Sequence, residues 1–327
     1  MRLDEIDMRI VCSLVKSDDP RNLKQVAGET GLPLNLFYSR IRKMRQGGIL
    51  SIHAVPRYSS MGLVPLLIIV PQKYLRKAVF FKKSRYILIS GRSIGKLKGS
   101  VFILTLPEEG VLKIYEYWED LYHKDMEKPL IFLLSDPHYI SNPLPSCTKQ
   151  FYLEWMKEAG KEVKVSSKVD ALDVSIVALL EEDGWLPLTK VANKLDERES
   201  VIRYHYQRHV KEKLIRGFRI NFRRWRSCIT FLINIKFTEL EAVKNCIEEI
   251  LKTPSSLIVF NSLGDNIIHI LIKTPIDYIC TLNSVIRKAL YKTRLMDLDL
   301  SVILEPIKER KIIPYEFYRR YRWILDF

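Results

Sequence analysis

The sequence of 327 residues lacks an apolar run long enough to cross a bilayer. A membrane-spanning helix needs about 18 or more consecutive apolar residues, whereas the best apolar stretch, 63–70, is far shorter and contains a proline. The N-terminus also has no apolar signal-peptide segment, since it begins with Arg2, Asp4, Glu5 and Asp7. We therefore expect a cytoplasmic protein that makes no contact with membranes.

Cysteine is scarce, and the five cysteines form no Cys-x-x-Cys pair. An odd number of cysteines cannot complete an intrachain disulfide framework, and zinc sites usually use such pairs or a His-Glu-x-x-His helix. His205 and His209 are four residues apart but have no acid between them. We therefore expect buried thiols in a reducing compartment, no metal, and phosphate contacts or core packing for both histidines.

Sequence patterns of catalysis are also missing. No Ser-His-Asp or Cys-His arrangement can be argued from the spacing of these residues. Residues 91–97 resemble a phosphate-binding loop, but the segment is one residue short and has Leu97 where a magnesium-binding hydroxyl belongs. A basic hairpin is the better interpretation of that segment. The sequence therefore predicts a protein that is not an enzyme and binds no cofactor.

Positive charge, in contrast, is abundant and concentrated. The formal net charge is +15 and the pI is about 9.5. Residues 40–57 contain five Lys or Arg and no acid, and residues 198–226 contain ten against two acids, so two short segments carry most of the excess. A basic run can be merely a solvated face. Two matching runs favour a polyanionic partner instead.

The two halves of the chain repeat each other. Residues 3–11, LDEIDMRIV, recur as residues 169–177, VDALDVSIV, and such self-similarity indicates a duplicated unit. In each copy Asp4 or Asp170 precedes apolar residues at helical spacing, with a second aspartate three residues later. This pattern predicts helix N-caps, and it disfavours the alternative of paired catalytic carboxylates.

Each half begins with three predicted helices. In the first half a helix over 23–29 ends at Gly31, and a third helix starting at Pro33 has Phe37, Ile41 and Met44 on its inward face. Three helices with a tight turn before the third, followed by a strand hairpin, are typical of a winged helix-turn-helix, whose third helix enters the major groove. The second half repeats this pattern with other residues, namely Ile202, Tyr206 and Val210 facing inward and Asp196-Glu197 in place of the turn glycine.

After each winged unit the predicted order becomes strand, helix, strand, strand, helix, strand, which is ferredoxin-like. In the second half we predict strands at 228–237, 256–262, 266–273 and 296–304 and helices at 239–252 and 276–291. In the first half we predict strands at 66–70, 86–90, 100–106 and 130–134 and helices at 73–82 and 108–123. The predicted domains are 1–57 (winged), 58–141 (sensor), 142–168 (linker with an aromatic helix), 169–226 (winged), 227–306 (sensor) and 307–327 (aromatic and basic tail).

At several of these places the sequence resembles the Lrp/AsnC family of prokaryotic transcription regulators. The residues that carry the resemblance are 3–7 (LDEID), 26–32 (VAGETGL), 40–44 (RIRKM), 58–63 (YSSMGL) and 263–267 (LGDNI). Family members usually carry one winged and one sensor domain and form dimers, which often bind amino acids between protomers. The resemblance implies an α+β fold in which two winged helix-turn-helix domains alternate with two ferredoxin-like βαββαβ domains as a single-chain pseudo-dimer, open to further homo-oligomerisation. It also implies an amino-acid effector near Gly264 and Asp265.

The function predicted from this resemblance and from the basic segments is that of a sequence-specific regulator bound to double-stranded DNA. Outward residues of each third helix would read base edges, and arginines near the wings would neutralise phosphates. The predicted DNA contacts are Asn35, Tyr38, Ser39, Arg42, Lys43, Arg45, Arg57, Ser200, Arg203, Tyr204, Gln207, Arg208, Lys211, Arg216, Arg219, Arg223 and Arg224. The alternative for any one of these residues is that it only faces solvent and does not contact DNA.

The sequence leaves two alternatives open. One is an architectural protein that binds DNA with little sequence preference, because the basic segments alone would give affinity without discrimination. The other is an enzyme, since Lrp-like pairs of winged and sensor domains also resemble the decarboxylases of the haem pathway that act on siroheme. Such an enzyme would need arginine and histidine in a polar cavity between its sensor domains.

Overall fold

The fold is taken from a computed structural model, which describes residues 3–74, 84–96, 98–120, 128–142, 169–223, 227–292, 295–309, 313–320 and 322–325. The elements of the first half are α1 Glu5–Lys16, α2 Leu23–Thr30, α3 Leu34–Gln46, β1 Leu50–Pro56, β2 Leu63–Pro71, β3 Ile87–Gly95, β4 Gly99–Pro107, α4 Glu108–Asp120, β5 Leu130–Leu133 and β6 His138–Asn142. None of the helices in the described part of the chain is long and apolar enough to cross a membrane.

The second half largely repeats this order. Its elements are α5 Ala171–Glu182, α6 Leu188–Leu195, α7 Glu199–His205, a π-helical continuation of α7 over Tyr206–Leu214, β7 Ile215–Phe222, β8 Cys228–Phe237, α8 Leu240–Ile250, β9 Ser255–Asn261, β10 Ile267–Pro275, α9 Ile279–Lys292, β11 Leu295–Glu309, β12 Tyr318–Arg319 and β13 Arg322–Trp323.

Both halves begin with a helix capped as the sequence predicts. The Asp4 side chain accepts a hydrogen bond from the Asp7 backbone N–H at 2.9 Å, and the Asp7 side chain accepts one from the Asp4 N–H. Asp170 and Asp173 form the same reciprocal pair. Each capping box satisfies two backbone donors that the first turn of a helix leaves unpaired.

The turn before the third helix is also made in both halves. Gly31 adopts φ 65°, and Asp196 takes the corresponding place with φ 54°. Aspartate is among the few residues other than glycine that visit this left-handed region. The predicted inward face of α3 is confirmed, because Phe37, Ile41 and Met44 are all buried.

The predicted wing hairpins, however, do not form. β1 pairs with β7 of the other half, in antiparallel register from Leu50 opposite Phe222 to Val55 opposite Gly217. After β1 the chain passes through a 3₁₀ turn directly into β2, so no second strand is available within the half. Each half therefore supplies one strand, and the two strands complete a ribbon together.

The remaining main strands form one antiparallel sheet in the order β5-β2-β4-β3-β11-β8-β10-β9-β6. The first four strands in this order come from the first half and the next four from the second. β5 and β6 are close in sequence but lie at opposite ends of the order, and an isolated bridge joins Leu134 to Ser262. The sheet must therefore curl until its two ends meet. The predicted α+β class is confirmed in this form.

Strands also cross between the halves at the centre of the sheet. β11 has 15 residues; it pairs with β8 over Leu295–Ile303 and then with β3 over Ser301–Glu309. β11 thus runs past the predicted domain boundary at 306. Residues 91–95 belong to β3, which forms a hairpin with β4, so their backbone is used by the sheet and the hairpin interpretation of this segment holds.

The aromatic residues 317–323 repeat those of 151–155 in the linker and predict a second short helix, which the C-terminal segment does not form. A 3₁₀ turn leads into the hairpin β12–β13, whose turn residue Arg320 has φ 50°. The Tyr318 and Trp323 rings pack together at 5.0 Å between centroids, and Trp323 Nε1 donates to the Met61 carbonyl at 2.7 Å. The Tyr318 hydroxyl donates to the Val169 carbonyl at 2.9 Å. The tail therefore packs as a strand ribbon on both halves of the chain.

Two predicted elements and the cysteines remain to be compared with the structure. Most of the predicted helix 73–82 and of the linker 142–168, with its aromatic helix, lies outside the described residues. Cys12 is disulfide-bonded, so the expectation that all cysteines are reduced thiols is wrong for Cys12. Sequence spacing does not reveal which cysteines meet in space. Cys246 is buried, and burial raises the pKa of its thiol to about 12.

Candidate functional site

A cavity of about 140 Å³ lies where β6 of the large sheet faces β7 of the two-stranded ribbon. We call it the Arg-His cavity. Its walls are completed by β1 and by the C-terminal end of α1 with the loop that follows. The lining residues are Val15, Ser17, Asp18, Pro20, Val55, His138, Tyr139, Ile140, Ser141, Arg216, Gly217, Phe218, Arg219 and Ile220.

The two strands hold the polar side chains of the Arg-His cavity in place. The Ser141 hydroxyl on β6 donates to the Ile220 carbonyl on β7. The Arg219 guanidinium lies over the Tyr139 ring, 4.6 Å from its centroid, which is a cation–π contact. Across the cavity, the buried Ser17 hydroxyl has no hydrogen-bond partner among the described residues. A buried polar atom left in this way is costly and is suited to a ligand.

His138 is the histidine that lines the cavity, and it is buried. Burial lowers its pKa well below the ordinary range, and the positive charges of Arg216 and Arg57 lower it further. Both causes disfavour the charged imidazolium. His138 is therefore neutral at physiological pH, and the positive charge of the cavity comes from its arginines.

Asp136 and Arg57 extend this charged region beyond the cavity wall. Asp136 accepts hydrogen bonds from the Ser59 backbone N–H at 3.0 Å and from the Ser59 hydroxyl at 2.5 Å. Burial raises the pKa of Asp136, while the Ser59 hydrogen bonds and the nearby Arg216 and Arg57 act in the opposite direction. Arg57 Nε is buried with no acceptor in the described part of the chain. Among the described residues, this region thus combines three arginines with the carboxylates of Asp18 and Asp136.

A second buried polar group lies inside the curled sheet. His269 on β10 is 1% exposed, and its Nδ1 lies 2.8 Å from the Asn234 side-chain oxygen on β8. The Phe132 ring of the first half packs against it at 4.6 Å between centroids. Burial lowers the pKa of His269 to about 3, and no described residue contributes a hydrogen bond to its Nε2.

The predicted DNA contacts divide between exposed helix faces and the Arg-His cavity. Those exposed on α3, α7 or the π-helical continuation are Asn35, Tyr38, Ser39, Arg42, Lys43, Arg45, Ser200, Arg203, Tyr204, Gln207, Arg208 and Lys211, and Arg223 is exposed after β7. Among these side chains, Arg45 forms an ion pair with Asp183 at 3.0 Å, and Arg203 forms one with Glu199.

The other predicted contacts lie elsewhere. Arg216 and Arg219 line the Arg-His cavity, and Arg57 is half-buried beside it. Arg224 lies outside the described residues. The predicted effector residues Gly264 and Asp265 form an exposed turn between β9 and β10, in which Gly264 has φ 94°. The Leu263 N–H donates from this turn to the Leu133 carbonyl of the other half at 2.7 Å.

Sequence reasoning missed both buried histidines. The available signal was a single polar residue in an apolar strand, as in residues 267–272, IIHILI. Such a pattern is consistent with a core histidine whose hydrogen bonds are made within the protein, and it does not show which residues are its partners. The role of His138 depends on the contact between β6 and β7, which the sequence does not show.

Comparison with solved structures finds a likeness over the whole chain to the siroheme decarboxylase NirDL. The identity is 13%, the TM-score is 0.59, and 97% of each chain is covered. The same decarboxylase in complex with an iron-uroporphyrin III analogue gives 13% identity, a TM-score of 0.58 and 94% coverage of each chain. Escherichia coli AsnC matches over 41% of this chain and 92% of its own, with 13% identity and a TM-score of 0.30. No family model and no curated protein matches the sequence.

These comparisons correct one prediction and qualify another. The expectation that the chain is not an enzyme is wrong as it stands, because 97% of the chain shares its fold with an enzyme, the siroheme decarboxylase NirDL. The predicted Lrp/AsnC resemblance has solved counterparts over part of the chain only. At such low identities the likeness concerns the fold.

Proposed function

We propose that the chain is an enzyme of the siroheme-decarboxylase type, with the Arg-His cavity as the part of its active site that holds an acidic side arm of a tetrapyrrole. The observation that carries the proposal is a buried neutral histidine beside two arginines, on a fold shared along its whole length with such an enzyme.

Carboxylate binding follows from the chemistry of the arginines. A guanidinium group offers a planar fork of N–H donors that matches a carboxylate, and Arg216 and Arg219 both line the Arg-His cavity. Tyr139 and Phe218 provide flat apolar surface in the same cavity. Pockets that enclose a whole drug-sized ligand measure about 300–1,000 Å³. A cavity of about 140 Å³ therefore takes one carboxylate-bearing arm, and the ring would lie outside it.

His138 is suited to the proton that decarboxylation requires. When a carboxylate leaves as CO₂, the carbon–carbon bond breaks, its electron pair stays on the substrate, and that carbon takes up a proton. In the free protein burial keeps His138 neutral, and the charges of Arg216 and Arg57 add to this effect on its pKa. Bound substrate carboxylates would offset those charges and raise the pKa of the imidazole. Bound substrate would thus favour the protonated form from which His138 donates.

The finer architecture that we propose is an internal pseudo-dimer. Each half would contain a helix-turn-helix unit and a ferredoxin-like unit. Support comes from the equivalent orders β5-β2-β4-β3 and β11-β8-β10-β9 and from the β1–β7 pair, to which each half contributes one strand. The largest hydrophobic cluster also joins Leu66 and Leu104 with Leu232 and Leu271.

The test is binding and turnover of siroheme by the full chain. Absorbance titration should show saturable binding, and mass spectrometry of the extracted pigment should show loss of CO₂. Arg216→Gln should weaken binding about 10- to 100-fold, because a charge-assisted hydrogen bond is worth roughly 1.5–3 kcal/mol. His138→Gln should keep binding and lose turnover. Arg223→Gln, an exposed arginine outside the cavity, is the matched control. Absence of binding by the wild-type chain would overturn the proposal.

DNA binding is the second candidate function. Its support is the set of exposed basic and amide side chains on α3 and α7, the residue types that read base edges. In vitro selection from random duplexes tests it directly. An enriched motif in the absence of siroheme turnover would favour a regulator, and affinity without a motif would favour an architectural protein.

A further inference from the structure

We propose that Asp173, His205 and His209 form a binding site for a divalent transition-metal ion, at the point where α5 begins and α7 passes into its π-helical continuation. This site is separate from the Arg-His cavity and does not depend on the proposed function.

The three side chains converge on one point. One oxygen of the Asp173 carboxylate lies 2.8 Å from His205 Nδ1, and the other lies 3.1 Å from His209 Nδ1. The candidate ligand atoms all lie within 4.8 Å of one another. Around a tetrahedral zinc ion with bonds of about 2.0–2.2 Å, two ligand atoms stand roughly 3.3 Å apart. Small shifts of the side chains would therefore admit an ion in place of the hydrogen bonds.

The local fold explains how these residues come together. Asp173 is fixed in the first turn of α5 by its capping box with Asp170. The π-helical segment Tyr206–Leu214 follows α7 directly, and its wider turn sets where His209 lies relative to His205. The Tyr204 ring contacts both imidazoles, at 5.8 and 5.9 Å between centroids. Interruptions of this kind in α-helices are frequent at functional sites.

In the first half an arginine neutralises the aspartate at the corresponding position. There Arg40 of α3 reaches the same place and forms ion pairs with Asp4 at 2.6 Å and with Asp7 at 3.3 Å. The Asp173 side chain is fully buried, and a buried carboxylate is costly unless it is paired or bound to a metal. The second half thus replaces the guanidinium with two imidazoles, whose nitrogens are metal ligands.

The ligand set determines the chemical class of the ion. Two imidazole nitrogens and a carboxylate oxygen suit zinc and its first-row neighbours. Asp170, whose Oδ2 lies 3.7 Å from His205 Nδ1, is placed to supply a fourth ligand. The His205 and His209 side chains are 15% and 28% exposed, so an ion can reach them from solvent. The acid that a zinc site needs comes from another helix and not from between the histidines.

The experiment uses the full chain after treatment with a chelator. Calorimetric titration with Zn²⁺ should show one ion per chain, and Co²⁺ should give the visible absorption bands of a tetrahedral site with histidine ligands. His205→Arg is the informative variant, because it recreates the ion pair of the first half and should fold without binding metal. His209→Gln should weaken binding at least tenfold, and the control His53→Gln should bind like wild type.

Circular dichroism spectra that match wild type would establish that the variants are folded. The proposal is overturned if the wild-type chain binds Zn²⁺ no more tightly than His205→Arg and His209→Gln. It is equally overturned if Co²⁺ gives the same spectrum with all four proteins, since the metal would then be bound elsewhere.

Discussion

Acidification should destabilise the folded chain through His138 and His269, which are both buried. His269 has its pKa lowered to about 3 by burial, and His138 has its pKa lowered still further. An unfolded histidine has a pKa of about 6.5. At pH values between the folded-state and unfolded-state pKa, the unfolded chain binds protons that the folded chain does not. The free energy of unfolding must therefore fall as the pH decreases below about 6.5.

The magnitude follows from the same linkage. At pH 5 an unfolded imidazole with a pKa of about 6.5 is almost fully protonated, whereas the folded one is neutral. For each histidine, the free energy of unfolding at pH 5 is therefore lower than at pH 8 by roughly 3.5 RT, or about 2 kcal/mol. The figure hardly depends on how far below 4 the folded pKa lies. Both histidines together should therefore account for about 4 kcal/mol of the stability lost between pH 8 and pH 5.

The assay is urea denaturation of the full chain at the two pH values. His269→Gln should destabilise the protein at pH 8, but its further loss at pH 5 should be about 2 kcal/mol smaller than that of wild type. Ile270→Val, the neighbour on β10, should cost about 1 kcal/mol equally at both pH values and controls for packing. Equal pH-dependent losses in wild type and His269→Gln would refute the reasoning.

Three further predictions concern separate parts of the molecule. If the chain binds DNA, Arg42→Ala should relax base discrimination in one half-site and Arg203→Ala in the other, by about 1–3 kcal/mol each, and a palindromic selected motif would contradict this. Gly99→Ala should destabilise by ~3 kcal/mol, because its Cβ would lie 2.0 Å from the Val70 carbonyl oxygen; Gly28→Ala, with open space around it, should instead stabilise by ~1 kcal/mol in the same melts. Trp323→Ala should cost about 3–5 kcal/mol if the tail is an integral part of the core, whereas an unchanged melting temperature would show that it is not.

Features that depend on nearby residues could be predicted from the sequence. The caps at Asp4 and Asp170 and the strand over 228–237 each follow from residues a few positions apart, which is the range over which capping and periodicity act. The choice of strand partner is not of this kind. Nothing in the sequence of β1 shows that it pairs with β7, because that choice depends on how both halves pack.

The candidate sites illustrate the same limit. Asp173 and His205 are 32 positions apart, so a search for an acid between the histidines could not find them. The Arg-His cavity combines residues of β6 and β7 that form no motif together. The absence of known catalytic patterns was therefore a poor argument against an enzyme, since an active site is a spatial arrangement that the order of residues need not display.

The exchange of strands between the halves has a consequence for synthesis on the ribosome. When the first half emerges, β1 and β3 each have an edge whose partner, β7 or β11, has not yet been translated. Unpaired strand edges readily join other chains, and translation of the second half takes on the order of 10–30 s at about 5–20 residues per second. Two separate subunits would have to find each other by diffusion during that exposure. In this chain the partner strand is always part of the same polypeptide, so its local concentration is high. Nascent copies on neighbouring ribosomes must compete with this tethered strand for the unpaired edges of β1 and β3.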